Sequence, residues 1–184
     1  MVAYDRGMVA AGESVQPLHE ALFPSPKLRA IPSFSFDYPE DWELDEGTQA
    51  IAAVHPKEPV DGFWVNVLVN HSRVAAAVDL KQAAVATLQP VFRNDPEAKL
   101  VTERLAHFDN GRRDTYLRIV ETKAPDGRAI AQVHCMFFAP RIPGARTVDL
   151  FQFVGTMPTA SVDDYALRVV DMVKSFRFES GPRT

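Results

Sequence analysis

Two aromatic segments near opposite ends of the chain constrain its fold more than anything between them. In Phe34-Ser35-Phe36-Asp37-Tyr38-Pro39-Glu40-Asp41-Trp42, three aromatic residues alternate with Ser35 and Asp37, the period of a half-buried strand. Pro39 has no N–H to give to a ladder, so the strand is predicted to end there, with Trp42 anchoring the turn beyond. At the far end, Val173-Lys174-Ser175-Phe176-Arg177-Phe178 closes a predicted helix and adds a short alternating tail.

Between these segments the pattern predicts a second strand over Thr48 to Val54 and a third over Phe63 to Asn70, where Phe63, Val65, Val67 and Val69 share one face. Asp79 reads as an N-cap with Gln82 at the capping-box position, and Leu80, Ala84, Leu88 and Val91 follow at helical spacing. Pro90 is expected to end or kink this helix. Leu100 to Phe108 and Arg113 to Thr122 then flank Asp109-Asn110-Gly111, a hairpin signal for a type I′ turn with two positive φ values. Asp126-Gly127 turns the next pair into Ala129 to Ala139, and Pro140 to Arg146 leads into a strand over Thr147 to Gly155. Ser161 is expected to cap the final helix, with Asp163 and Asp164 at its positive end and Lys174 at its negative end. Val162, Tyr165, Val169, Val173 and Phe176 stripe one side of that helix. The expected fold class is therefore α+β, in the order βββ-α-ββββ-α, with both helices packed on an antiparallel sheet.

Residues 33 to 180 read as one domain, and residues 1 to 32 as an N-terminal arm. Gly7, Gly12, Pro17, Pro24, Pro26 and Pro32 punctuate the arm, leaving Ser14 to Phe23 for a turn or two of helix. Leu18, Leu22 and Phe23 sit at helical spacing within it and suggest docking, on the chain's own domain or on a partner. At 184 residues the whole fits one domain with a real core.

A net charge of −4 with scattered Lys and Arg argues against nucleic-acid binding. Arg112-Arg113 is the densest basic spot and reads as a solvated hairpin tip. A single cysteine, Cys135, excludes an intramolecular disulfide and thiolate-rich metal sites. No stretch approaches the roughly 20 apolar residues of a membrane span. Met8-Val9-Ala10-Ala11 is too short for the apolar region of a signal peptide, so a cytoplasmic location is expected.

The aromatic-x-aromatic-x-Tyr-Pro-x-x-Trp opening at Phe34 to Trp42, the Ser175-Phe176-Arg177-Phe178 ending and the element order together resemble the PsbP-like family. That family includes PsbP and the yeast Ran-binding protein Mog. Among bacterial branches the chain most resembles the actinobacterial LpqN-like proteins. The resemblance covers roughly residues 33 to 178 and implies an αβα sandwich. It also implies a non-enzymatic role, since proteins resembling PsbP act chiefly by docking onto other proteins as assembly factors, adaptors or secretion chaperones. Many LpqN-like proteins are exported lipoproteins; this chain departs from them in having no lipobox-like cysteine.

The residues that carry chemistry are sparse. His19, His55, His71, His107 and His134 lack metal-ligand spacing to another His, Cys or carboxylate, apart from His107 and Asp109 at a hairpin end with no third ligand. No metal or cofactor is expected, and no phosphate loop, nucleophile elbow or paired-carboxylate motif appears. Cys135 shares a face with Ala131, Val133 and Phe137 and reads as core, while His134 points to the opposite face. That opposite face carries Gln132, His134 and Met136, and neighbouring strands contribute Trp64, Asn66, Asn70, Tyr116, Arg118 and Gln152. If the strands adjoin, this set lines a cleft for a small apolar ligand; the alternative is a partly solvated sheet face. The acidic cluster Glu40, Asp41, Glu43, Asp45 and Glu46 reads as a solvated loop beside Trp42 or a contact for a basic partner.

Three functions follow. The first is an adaptor or assembly-factor domain with Leu18, Leu22, Phe23 and Trp42 as partner contacts. The second is a lipid-like ligand binder using Trp64, Asn66, Tyr116, Arg118, Gln132, His134 and Met136. An enzyme of helix-grip or cystatin-like fold is the third. Exposed sheet edges and a detachable arm also allow a homodimer, by edge pairing or arm exchange.

Overall fold

The computed structural model describes residues 24–25, 29–47 and 49–179. The chain divides into the units Met1–Ala30 and Ile31–Thr184, and the second is described here. Its elements are β1 (Phe34–Ser35), β2 (Trp42–Asp45), β3 (Ala52–Pro56), β4 (Asn66–Ala75), α1 (Leu80–Asn94), β5 (Lys99–Phe108), β6 (Arg113–Lys123), β7 (Ala129–Phe138), β8 (Thr147–Pro158), α2 (Val162–Ser175) and β9 (Arg177–Phe178). A 3-10 turn, Thr159–Ser161, leads into α2. The fold is α+β and PsbP-like, as the sequence pattern predicts, with two differences in strand count.

Seven strands form one antiparallel sheet in the order β2-β3-β4-β8-β7-β6-β5, and β1 pairs with β9 in a separate two-stranded sheet. The first aromatic segment is therefore ladder-paired only at Phe34 and Ser35, opposite Phe178 and Arg177. Trp42 and part of the acidic cluster, read as turn and loop, form edge strand β2, and Trp42 is 2% exposed in the core. The second and third predicted strands both end later than expected, at Pro56 and Ala75. Pairing to longer neighbours extends them where local propensity is weak.

One sheet face carries α2 and the β1–β9 pair. Here Val54, Val67, Val69, Val133, Phe137, Phe151 and Phe153 meet Val169 and Val173 of α2 and Phe176 at its C-cap. The two aromatic segments converge on this core, with Phe34 stacked on Phe176 at 5.2 Å and Phe36 edge-on to Phe153 at 5.3 Å. Gly155 makes the close approach of α2 feasible, since a Cβ there would lie 2.4 Å from Cγ2 of Val169. Cys135 is wholly buried in this core, and burial pushes its thiol up to about 12.

Arg113 corrects the reading of a solvated basic tip. It is 6% exposed, and its two terminal nitrogens donate to the Phe176 and Val173 carbonyls at 2.6 Å, with the guanidinium over the Phe137 ring. The register pairs Arg113 with Phe108 on the α2 side. The guanidinium there supplies donors at the end of α2, adding to the Phe176 N–H that the Val173 carbonyl also accepts at 3.2 Å. The hairpin loop itself spans four residues between Phe108 and Arg113, with positive φ at Asp109, Asn110 and Gly111, and is longer than a two-residue type I′ turn.

The other face carries α1. Its capping box is present: Asp79 accepts from the Gln82 N–H at 2.7 Å and its own N–H donates to the Gln82 side chain at 3.0 Å. Pro90 does not end the helix, which continues to Asn94. Ser161 stands at the N-cap of α2 but makes no side-chain capping bond, because the preceding 3-10 turn sets its backbone near φ −108°, ψ 10°.

Candidate functional site

The face beneath α1 collects the polar and aromatic residues that the sequence singled out. Alternation sends Gln132, His134 and Met136 to the side opposite Cys135, and the register extends that side across the sheet. One row crosses all seven strands: Asp45, Ala53, Leu68, Val154, His134, Arg118 and Glu103. Flanking rows hold Asn66, Thr156 and Gln132 on one side, and Asn70, Gln152, Met136 and Tyr116 on the other. Trp64 joins the same face at the β3 side, its ring edge-on to His55 at 5.4 Å. All seven proposed ligand residues thus share one face, and α1 divides them into a covered set and an open set.

The covered set is Tyr116, Arg118, His134 and Met136, all buried. Arg118 is 2% exposed and donates to the Ala84 carbonyl and, at 3.1 Å, to the Thr87 hydroxyl, both on α1. It also donates to Nδ1 of His134 at 3.1 Å, and the Gln152 amide approaches the same nitrogen at 3.0 Å. With Nδ1 accepting, Nε2 carries the proton and donates to Gln132 Oε1 at 3.1 Å. Burial first, then the Arg118 charge, pushes His134 down to about 3, so the imidazole is neutral. Arg118 is itself lowered to about 10 by burial and still carries its charge at neutral pH. Tyr116 donates to Glu103 and is raised to about 12, by burial and then by that carboxylate. Met136 packs with Ala83, Ala84 and Leu150 under the helix. These side chains bond α1, one another and their sheet neighbours Glu103, Gln132 and Gln152, and only Arg118 Nε among them is buried without a partner. Their arrangement clamps the helix, and the physical need for it is that a buried polar group must find partners.

The open set lies over β2, β3, β4 and β8. Trp64 is 52% exposed, while Leu68, Val154, Asn66 and Thr156 are half-buried. His55 donates from Nδ1 to the Pro56 carbonyl and from Nε2 to Asp45, both at 2.8 Å. The backbone bond first, then Asp45, raises its pKa, since both ring nitrogens face acceptors. Glu43 stands opposite His55 in the register, so the acidic edge strand borders this surface. The sequence gives little sign of His55 and Asp45 as a pair: they are ten residues apart, and only the β2–β3 hairpin joins them.

Other predicted contacts lie elsewhere. Trp42 packs on Tyr165 in the α2-side core, so its ring is withdrawn from the surface on which a partner contact was expected. Leu18, Leu22, Phe23 and His19 lie outside the described residues. His71 stands within β4 rather than at its end, bonded through Nε2 to the buried Asp149 at 2.9 Å, with Arg73 on the same carboxylate. His107 pairs with Asp114 at 2.7 Å. Among the described residues, no three His, Cys, Asp or Glu side chains converge as a metal site. A cleft of about 570 Å³ opens beside Asp79, Arg112, Asp114 and Arg141, with charges of both signs and none of the proposed ligand residues.

No family model matches the chain, and no curated protein matches it. Solved structures do. LpqN of Mycobacterium tuberculosis, described as involved in cell envelope biogenesis, aligns with a TM-score of 0.62 at 13% identity, over 86% of this chain and 88% of that one. The cyanobacterial PsbP of Synechocystis sp. PCC 6803 aligns with a TM-score of 0.56 at 14% identity, over 89% of this chain and all of that one. At such identities the likeness shows the fold, which is PsbP-like. No described helix is long and apolar enough to cross a membrane.

Proposed function

We propose that this protein is a non-enzymatic interaction domain, an adaptor or assembly factor, that docks a protein partner on the open half of the α1-side sheet face. The observation that carries this reading is the exposed Trp64 ring, edge-on to His55 opposite the acidic strand residue Glu43, on the face that also holds half-buried Leu68, Val154 and Thr156. An aromatic anchor beside apolar neighbours and a charged rim is the composition of a docking patch. The sign of the rim commits the partner to a basic surface with an apolar centre, attracted by Glu43 and Asp45. The covered half supports the same reading: Arg118, His134 and Gln132 are bonded to α1 or to one another beneath the helix, with Arg118 Nε the donor left over.

The test is comparative capture of partners by the wild type and by Trp64→Asp, with unfolding midpoints confirming that both are folded. A protein held by the wild type, lost by Trp64→Asp and released as salt rises is the expected result. If both forms retain the same proteins, or the wild type retains none, the proposal fails.

A further inference from the structure

We infer that β5 is a self-association edge, on which a second copy of this chain pairs antiparallel about Leu105. Strand β5 ends the seven-stranded sheet, ten residues long, and its residues from Lys99 to Leu105 are all exposed. A strand of this length with an unpaired backbone is a template for another strand unless charge, proline or irregularity blunts it. The only irregularity is a register shift between Leu100 and Thr102, which leaves the seven residues from Thr102 to Phe108 regular. Three large apolar side chains, Leu100 at 38%, Val101 at 54% and Leu105 at 51%, stand in water along this edge.

The side chains select both the occupant and the register. Two antiparallel copies related by a twofold axis through the sheet place some residue opposite itself, and the side chains on each face stay on that face. Centring the pair on Glu103 or on Arg104 sets like charges directly opposite, which destabilises a sheet. Centring it on Leu105 sets Leu105 on its own copy and Glu103 opposite His107 twice, with Arg104 opposite Ala106 and Thr102 opposite Phe108. Glu103, Leu105 and His107 share the α1 side, since their β6 partners are Arg118, Tyr116 and Asp114. Both side chains are already oriented there: the Tyr116 hydroxyl donates to Glu103, and Asp114 holds His107 at 2.7 Å. The segment Glu-Arg-Leu-Ala-His is thus complementary to its own reverse, and an unrelated strand would not have to be. The result is a continuous fourteen-stranded sheet, twice the seven strands of one copy, with the Trp64 patch on the far side of each copy left open.

Sedimentation velocity of the full chain over a wide concentration range tests this, alongside Leu105→Lys. The wild type should show a reversible dimer, and Leu105→Lys, which sets two ammonium groups on the axis, should raise the dimer Kd by roughly tenfold or more without lowering the unfolding midpoint. As a second readout, Leu105→Cys should form a covalent dimer under mild oxidation, whereas the wild type, whose only thiol is the buried Cys135, should not. A wild type that is monomeric throughout overturns the inference. So does a dimer that Leu105→Lys leaves intact, or one in which Leu105→Cys fails to cross-link.

Discussion

The two halves of the α1-side face shift their histidines in opposite directions, although both residues, on β3 and β7, face the same side of one sheet. His134, under α1, meets two donors at Nδ1 and a buried guanidinium, and is neutral. His55, on the open side, meets a carbonyl and a carboxylate, and its charged form is favoured. The covered half is a buried polar network that spends most of its hydrogen bonds internally and leaves one donor, Arg118 Nε, without a partner. The open half has satisfied polar groups at its edge and apolar surface at its centre, the combination that a partner can cover without stranding a donor. Residue types alone would rank the covered half as the better site, and geometry reverses that order.

The sharpest way to break this contrast is Arg118→Ala. It removes the donors to Ala84, Thr87 and His134 together and leaves a void beneath α1, so stability should fall by about 3 kcal/mol in denaturant unfolding. Arg118→Met, which keeps most of the volume and buries no charge, should recover part of that loss. Equal stability of Arg118→Ala and the wild type would show that the network does not hold the helix.

The pH dependence of stability should separate the halves by sign. His134 is held below its ordinary value of 6.5, so the unfolded chain binds its proton first as pH falls. Its contribution is fully present above 6.5 and is lost as pH drops from there toward about 3, a loss of at most about 5 kcal/mol. His134→Gln should flatten that slope. His55 is raised, so its contribution is present below 6.5 and is lost as pH climbs through its elevated folded value. With Asp45 largely in solvent, that contribution should stay below about 1 kcal/mol.

Smaller effects sharpen the open half. Trp64→Ala should leave stability within about 0.5 kcal/mol of wild type, while removing partner capture. Asp45→Asn should bring the NMR titration of His55 back toward 6.5, again with a stability change within about 0.5 kcal/mol. A large loss of stability in Trp64→Ala would move that ring from docking patch to core.

Local pattern carried the elements whose causes are local. The Asp79–Gln82 capping box, the long meander strands and the stripe from Val162 to Phe176 all follow from spacing, and each lies where spacing places it. Alternation likewise placed Cys135 in the core and His134 on the other face. The misreadings share a different cause. Strand β2 looks like loop because five of the seven residues from Glu40 to Glu46 are acidic, and only pairing with β3 makes Trp42–Asp45 a strand. Arg113 looks solvated because its partners, the carbonyls of Val173 and Phe176, stand some sixty residues away.

The sequence by itself determined which residues face which side of each strand and where the helices begin, because alternation and capping are decided by neighbours in the chain. Only the tertiary structure decided what those faces do. Strand order fixed the row from Asp45 to Glu103, and the placement of α1 over β6 and β7 closed one half of that face and left Trp64 on the other. The physical reason is that burial and hydrogen-bond satisfaction depend on partners distant in sequence, and for His134 those partners, above all Arg118 and the cover of α1, decide the protonation state as firmly as the side chain itself.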